Sequence, residues 1–572
     1  MITEQIQGII NKAFQSAFGF QPEEIEITNP EPQFGDFAIA CHPFSKELKM
    51  SPQDIASKLL DVIDDSLITK SEAVAGYLNV FVDSSVLAEE VLSEINKKES
   101  WLERFRTKAD QPLAGKKGKE KIVLEYSSPN TNKPLHLGHV RNNVLGMSLA
   151  NILETQNSNV EKVQLINDRG IHIMKSLVAY QKLGKGKTPE SENTKGDHFV
   201  GEYYVKFDDE KMMEDAQEAL REWEAGDKEI KDLWKKMNKW VSNGFEDTYK
   251  LLGSEFDKTY YESEIYESGK KIIEQGLEKG IFKQEDDGSV SVDLEDIGLD
   301  KKILQRSDGT SIYVTQDLAL AVKRQEEYGA DSLVYVVGHE QEYHFKVLFE
   351  ILKRLGYGWS KNLYHLSYGL VFLPEGKMKS REGKVVDADD IIKEVKDLAS
   401  KEIKKRFPEI SKDETKDRAR IIGMGALKFL LLRVTPSQSI HYDPKQAIAF
   451  EGSTGPYIQY AHARISSILE KESAPKKVKF ELLKSTEEKE VILKLMQYKD
   501  MLKDSADNYN PSTVCNYLLE LSQVFNAFYH KNKVLKAESE DLKNARLLLI
   551  KSVQIVLKDG LGLLGIEAPD KM

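Results

Sequence analysis

His136-Leu-Gly-His139 sets two imidazoles three residues apart with a glycine between them. At the start of a helix, both rings fall on one face of the first turn. Such a turn offers unpaired N–H groups and the positive end of the helix dipole, a natural seat for phosphate. Gly138 carries no side chain, so a nucleotide can lie against the backbone. Imidazole N–H groups can donate to a phosphoryl group whose charge shifts as pyrophosphate leaves, and Lys133 adds a cation just upstream. Nucleotidyl transfer is mostly positioning and charge stabilisation, which this set supplies. A second candidate is the cation-rich loop Gly376-Lys-Met-Lys-Ser-Arg-Glu-Gly-Lys384, placed to close over a triphosphate.

These residues need a frame. Lys121-Ile-Val-Leu-Glu-Tyr126 is a short apolar run of the kind that forms a buried parallel strand. A turn rich in Ser, Pro and Asn follows, and a helix is predicted from near Gly138 through Val144, Leu145, Met147 and Leu149. Val163–Asn167 and Ser332–Val337 read as further buried strands, each followed by a helical pattern, and Tyr364–Phe372 as a strand before the second loop. Strand–helix repetition implies a doubly wound parallel sheet, which binds ligands at the carboxyl ends of its strands. A polar, helical stretch over 183–300, dense in Lys, Glu and Trp, reads as an insertion between the halves of that sheet.

The flanking blocks differ. Residues 1–113 combine an N-terminal helix (Ile6, Ile9, Ile10 and Phe14 at helical spacing) with strands at Glu24–Thr28 and Tyr77–Val82, an α+β pattern. Ala114–Lys119 reads as a linker to a sheet domain over 120–400. Residues 401–572 show helical apolar spacing at 421–434, 491–507, 511–533 and 541–564, hence an all-helical bundle.

Composition limits the function classes. The 572 residues are 40% hydrophobic and 30% charged, with no apolar run of membrane length and no secretory signal at the start. Cys41 and Cys515 are the only cysteines, which rules out a disulfide framework and fits a reducing cytoplasm. A net charge of −12 argues against indiscriminate coating of nucleic acid but permits a specific RNA partner. Basic runs at Lys116–Lys121, Lys401–Arg406 and Lys531–Lys533 read as solvated surface.

Together the two loops resemble the HIGH and KMSKS signatures of class I aminoacyl-tRNA synthetases, here His-Leu-Gly-His and Lys-Met-Lys-Ser-Arg. Ser127 to His139 is similar, without a gap, to the first signature of the arginyl-tRNA synthetase family, Ser-Ser-Pro-Asn-x-x-Lys-Pro-x-His-x-Gly-His. The resemblance extends to Asp308–Asp317, Glu451–Arg464 and the ending Leu564–Met572, nearly the whole chain. It implies a Rossmann-type catalytic domain between an N-terminal domain that touches the tRNA elbow and a helical anticodon-binding domain. It implies ATP contacts from His136, Gly138, His139, Lys377, Met378, Ser380 and Arg381. Where most class I enzymes carry a catalytic lysine in the second signature, this chain has Ser380; the family comparison gives that charge to Lys133, with Lys377, Lys379, Arg381 and Lys384 as nearby substitutes.

A guanidinium is planar, permanently charged and rich in donors, so selecting it takes fixed carboxylates and a hydroxyl. The resemblance places these at Glu262, Tyr313 and Asp317, with Asn130 and Gln341 on the α-ammonium, Ser128 nearby, and Glu125 ordering the substrate or Lys133. Tyr457, Gln459, Tyr460, His462 and Arg464 are the expected anticodon face, offering stacking rings and polar edges. Phe34, in Phe34-Gly-Asp-Phe37, is the expected N-terminal tRNA contact. The implied reaction joins L-arginine to tRNA(Arg) through an arginyl-adenylate. ATP enters as its Mg2+ complex, tRNA is required for the first step, and no tightly bound cofactor or dedicated metal cage is expected. A cytoplasmic monomer is the expected working unit. The alternative is a non-catalytic RNA-binding relative, which would be expected to lose His136, His139 or Tyr313; all three are present. A cysteine enzyme of the class would want a zinc site, which is missing. Gly560–Gly565 matches a dinucleotide fingerprint by letter but lacks its strand and helix, and reads as a helix end.

Overall fold

The computed structural model describes residues 2–30, 34–97, 120–184, 186–310, 312–373, 376–377 and 386–572, with backbone alone at 267, 376 and 377. The expected linker and the loop residues Met378, Lys379, Ser380, Arg381 and Lys384 lie outside the described residues.

Alternation of short apolar runs with helical segments builds a five-stranded, all-parallel sheet. Its strands in chain order are β1 (Lys121–Glu125), β2 (Asn159–Ile166), β3 (Lys258–Tyr261), β4 (Ser332–Gly338) and β5 (Leu363–Tyr368). They lie side by side in the order β5-β4-β1-β2-β3. The chain leaves β1 toward one flank and returns through β4 on the other, so the crevice opens at the carboxyl ends of β1 and β4. In β1, Ile122, Val123, Leu124 and Glu125 are all buried, as a strand covered on both faces requires.

The signature helix, Leu137–Thr155, is buried on almost every side, including Arg141, Asn142, Asn143 and Ser148. It lies close to the end of β1 because Gly146 faces the Tyr126 ring, where a Cβ would sit 2.2 Å from the ring carbon Cγ.

The 183–300 stretch is not one continuous excursion. Helices Gly196–Val205, Asp209–Ala225 and Lys228–Leu252 do leave the sheet, but Lys258–Tyr261 returns as its edge strand β3. Four residues paired on one side only give too little apolar alternation to stand out in sequence. A small antiparallel sheet (Lys283–Gln284, Val290–Val292, Lys302–Gln305) follows. The division expected at 400 falls inside helix Ala388–Arg406, which continues without a break.

Residues 2–96 form a four-stranded antiparallel sheet with helices Ile2–Phe18, Pro52–Val62 and Ser84–Asn96. Of the strand expected at 24–28, only Ile27–Thr28 is paired. The remainder of the chain is mostly helical (Lys412–Leu432, Gly455–Lys471, Thr486–Met496, Tyr498–Asp507, Ser512–Lys531 and Glu540–Leu563), with one short strand, Ile440–His441, paired to Val371–Phe372. Gly565 lies past the end of the last helix with φ +66°, so the glycine-rich string is a helix end. No helix among the described residues is long and apolar enough to cross a membrane.

Candidate active site

The two histidines cap the helix they announce. His136, extended at the N-cap, accepts the Gly138 N–H on Nδ1 at 3.1 Å, and His139 Nδ1 accepts the His136 N–H at 3.1 Å. The rings lie 3.9 Å apart. Burial, with Lys133 adding repulsion, lowers His136 to a pKa of about 4; burial and the His136 and Lys133 charges push His139 well below its usual value. Both imidazoles are therefore neutral near pH 7. Because each Nδ1 accepts a main-chain N–H, we assign the ring proton to Nε2, leaving two N–H donors on one helix turn. Gly138 has a second reason to be glycine, since a Cβ there would lie 2.9 Å from the His136 ring. Lys133 is half-buried, and desolvation lowers its pKa.

Residues that carried no motif hold this turn. Ser127 sits at φ +65°, a strained value for a non-glycine residue, and is buried. Its N–H donates to Asn142 Oδ1 at 2.6 Å, and its hydroxyl meets Tyr249 at 2.8 Å and Asn143 Nδ2 at 3.3 Å. Arg141 is fully buried and donates to the carbonyls of Pro436 (3.0 Å), Gln438 (2.8 Å) and Gly369. The signal available in sequence was Arg-Asn-Asn on a helix with no polar face, where polar side chains must find partners. From the other side, Leu137 N–H donates to Val386 O and Ala388 N–H to Leu135 O. The chain downstream of the second loop is thereby fastened to the signature turn. Gly376–Lys377 is a strand paired with Val371–Leu373.

The expected amino-acid groups come from several elements but converge on the same edge of the sheet. Glu262 follows β3 and is buried; burial raises its pKa to about 7, Arg169 opposes this, and the charges of Asp168 and Asp317 add to it. Asp317, one turn into helix Tyr313–Tyr328, accepts from His344 at 2.7 Å. Tyr313 opens that helix and is 71% exposed, so it closes no wall. Asn130 is exposed and bridges to Asn167, and Gln341 is exposed at the end of the short turn His339–Gln341 after β4. Ser128 is half-buried, and its hydroxyl donates to Glu125 at 3.2 Å. Glu125 has partners inside the protein at both oxygens: Oε1 accepts from Ser128, and Oε2 is paired with Arg324. At the insertion, Asp197, His198 and Asp389 have metal-ligand spacing, but the Lys195 ammonium already donates to both aspartates, at 3.2 and 2.7 Å.

The helix Gly455–Lys471 divides its expected RNA face. Tyr460 is exposed, with Arg464 over its ring at 4.7 Å and over Tyr529 at 5.4 Å; Arg464 also donates to Asn526, which donates to the Tyr457 hydroxyl. Gln459 and His462 are 0% and 1% exposed and point inward. Gln459 donates to the Glu567 carbonyl at 2.8 Å, and His462 Nδ1 donates to the Pro569 carbonyl at 2.9 Å. These two hold the C-terminal tail and offer no edge to a base. In the first domain Phe34 is 46% exposed, while Asp36 is buried and pairs with Lys489 of the helical region at 2.8 Å.

Three family models match the chain: arginyl tRNA synthetase N terminal domain over 2–82, tRNA synthetases class I (R), catalytic domain over 106–436, and DALR anticodon binding domain over 458–572. The arginine–tRNA ligase of Treponema denticola is 47% identical over 562 residues, covering 95% of this chain and 94% of the relative. That of Parabacteroides distasonis is 40% identical, covering all of both. Among solved structures, Thermus thermophilus arginyl-tRNA synthetase superposes with a TM-score of 0.84 at 25% identity, covering 100% of both chains.

Proposed function

The chain belongs to the class I arginyl-tRNA synthetase family, and from that premise we propose how its signature turn performs the reaction. The activity is ligation: ATP, L-arginine and tRNA(Arg) give AMP, diphosphate and L-arginyl-tRNA(Arg). In the first step a carboxylate oxygen of arginine attacks the α-phosphorus of ATP, taken as its Mg2+ complex, and the bond to the departing diphosphate breaks. In the second, a terminal ribose hydroxyl of the tRNA attacks the arginyl carbonyl, loses its proton, and AMP leaves.

The observation that carries this reading is the reciprocal cap. His136 and His139 satisfy the helix end through Nδ1 and keep Nε2–H for phosphate oxygens. Neutral donors fixed in place stabilise charge as it develops without reorganising. Lys133 supplies the cation missing at Ser380, and its partial burial strengthens its field. Gly138 and the second loop, through Lys377, Met378, Lys379 and Arg381, complete the ATP site in this reading. Glu262 and Asp317 take the guanidinium, with Tyr313 folding over it. Asn130, Ser128 and Gln341 hold the α-carbon end. Exposed Phe34 and Tyr460, with half-buried Tyr457 and Arg464, contact tRNA. Two buried, unpaired cysteines support a reducing, cytoplasmic compartment. The intact histidines and Tyr313 leave the non-catalytic alternative without support.

Arginine-dependent pyrophosphate exchange, run with and without tRNA(Arg), tests the reaction order. Exchange that depends on tRNA is the expected result, and vigorous exchange without it refutes that dependence. In the same assay Asp317→Asn is expected to raise the KM for arginine about ten- to a hundredfold, the worth of a charged hydrogen bond. An unchanged KM would sink the pocket.

A further inference from the structure

We infer that Arg324 is a positioning residue for amino-acid selection: paired with Glu125, it fixes the spacing between the carboxylates that read the arginine side chain and the turn that reads its α-carbon end. The inference rests on the pocket proposed above. Arg324 is 1% exposed and lies on helix Tyr313–Tyr328, seven residues beyond Asp317 and so on the same face. Its guanidinium meets three elements. Nη1 pairs with Glu125, the last residue of β1, whose other oxygen accepts from Ser128 on the signature turn. The Tyr260 ring of β3 packs 5.0 Å from it, two residues before Glu262. The Tyr335 ring of β4, in register with Glu125, lies 5.8 Å away on the strand beside β1. Tyr260 also donates to Glu327, on the same helix as Arg324, at 2.5 Å. One side chain thus touches the helix carrying Asp317, the strand leading to Glu262 and the strand leading to Ser128 and Asn130.

Stability alone does not account for this arrangement. Burying a guanidinium is costly unless its donors are satisfied, and well-packed apolar side chains can often replace a buried ion pair without loss. Among the described residues, Arg324 Nε and Nη2 have no hydrogen-bond partner. What the pair provides is a fixed geometry. A substrate held at both ends is measured by length, and one extra methylene in such a site is worth about ten- to two-hundredfold in kcat/KM.

The test compares arginine with homoarginine, one methylene longer, in the full-length enzyme with tRNA present. The pair is removed as a unit in the Glu125→Leu, Arg324→Met double variant, and retained in charge but not in shape in Arg324→Lys. The expected result is that wild type prefers arginine strongly, while both variants lose at least tenfold of the arginine-to-homoarginine ratio in kcat/KM. Their ATP KM should stay within about twofold of wild type. A destabilised but correctly spaced site would lose activity toward both amino acids alike, so a preserved ratio in a folded Arg324→Lys enzyme overturns the inference even if the double variant fails to fold. Wild-type enzyme that does not prefer arginine would instead overturn the pocket on which the inference rests.

Discussion

Two stretches of this chain carry dense strings of polar and aromatic residues, and the fold treats them in opposite ways. At the end of β1 the string runs through an irregular turn into a helix N-terminus, and Ser128, Asn130, Lys133, His136 and His139 stay together at one edge of the sheet. In helix Gly455–Lys471 the string is wound at about 100° per residue, so neighbours in sequence diverge in space. Tyr457, Tyr460 and Arg464, at i, i+3 and i+7, share the outer face; Gln459 and His462 turn inward and clamp the tail. A turn keeps a motif intact as a site, whereas a helix sorts it by face.

The largest effect expected lies in the turn. His136→Asn keeps a capping side chain but removes the Nε2–H donor, so arginyl-adenylate formation should fall about 10²–10³-fold while Tm moves by no more than a few degrees. A lower Tm with an intact rate would mean that the ring is only a cap. Next, Lys133→Ala should slow activation about ten- to a hundredfold, and Lys379→Ala less. Single-turnover rates showing full activity for Lys133→Ala and a loss for Lys379→Ala would reverse the assignment.

The helix supplies the contrast. Tyr460→Ala should raise the KM for tRNA by the worth of one stacked base, about 1–3 kcal/mol, at unchanged Tm. His462→Ala should do the reverse, costing about 1–3 kcal/mol of stability through the unpaired Pro569 carbonyl, with little direct effect on tRNA affinity. Paired melting and aminoacylation measurements decide it, and equal behaviour of the two variants would erase the distinction between faces.

The smallest effect is a pH dependence. Glu262 has its pKa raised from 4.5 to about 7, so it is ionised, and able to hold a guanidinium, mainly above that value. The KM for arginine should rise severalfold as pH falls from 8 to 6, and Glu262→Gln should flatten the profile. For stability the sign is opposite to that of a paired carboxylate. The folded state holds the proton more tightly than the unfolded state, so the benefit of the neutral buried acid is present below pH 4.5 and lost as pH rises through 7. Glu262→Gln should therefore melt higher than wild type at pH 8, by a margin that shrinks with acidification. An identical pH–KM profile in the variant would remove Glu262 from the pocket.

Much of the frame was legible. β1, β2 and β4 announce themselves as apolar runs followed by helical spacing, and the last two helices recur within a few residues of their expected bounds, while the helix expected over 491–507 is divided at Gln497 into Thr486–Met496 and Tyr498–Asp507. β3 was not, because an edge strand of Lys-Thr-Tyr-Tyr has no apolar alternation to reveal it. The residues holding Ser127 in its strained conformation, Asn142 and Asn143, were equally silent: a polar pair in a helix declares a buried partner only once all faces of that helix are known to be covered.

The sequence by itself determined the local geometry of the turn at the sheet edge. Helix capping, dipole and the His-x-Gly-His spacing are local, set within a few residues of each other, and local physics is readable from local sequence. Partner choice was left to the tertiary structure. Glu125 reads as a lone carboxylate until Arg324, about two hundred positions away, is folded against it. Gln459 and His462 read as RNA contacts until the C-terminal tail closes on them. Burial and pairing depend on what the rest of the chain brings alongside, and sequence spacing carries no record of it.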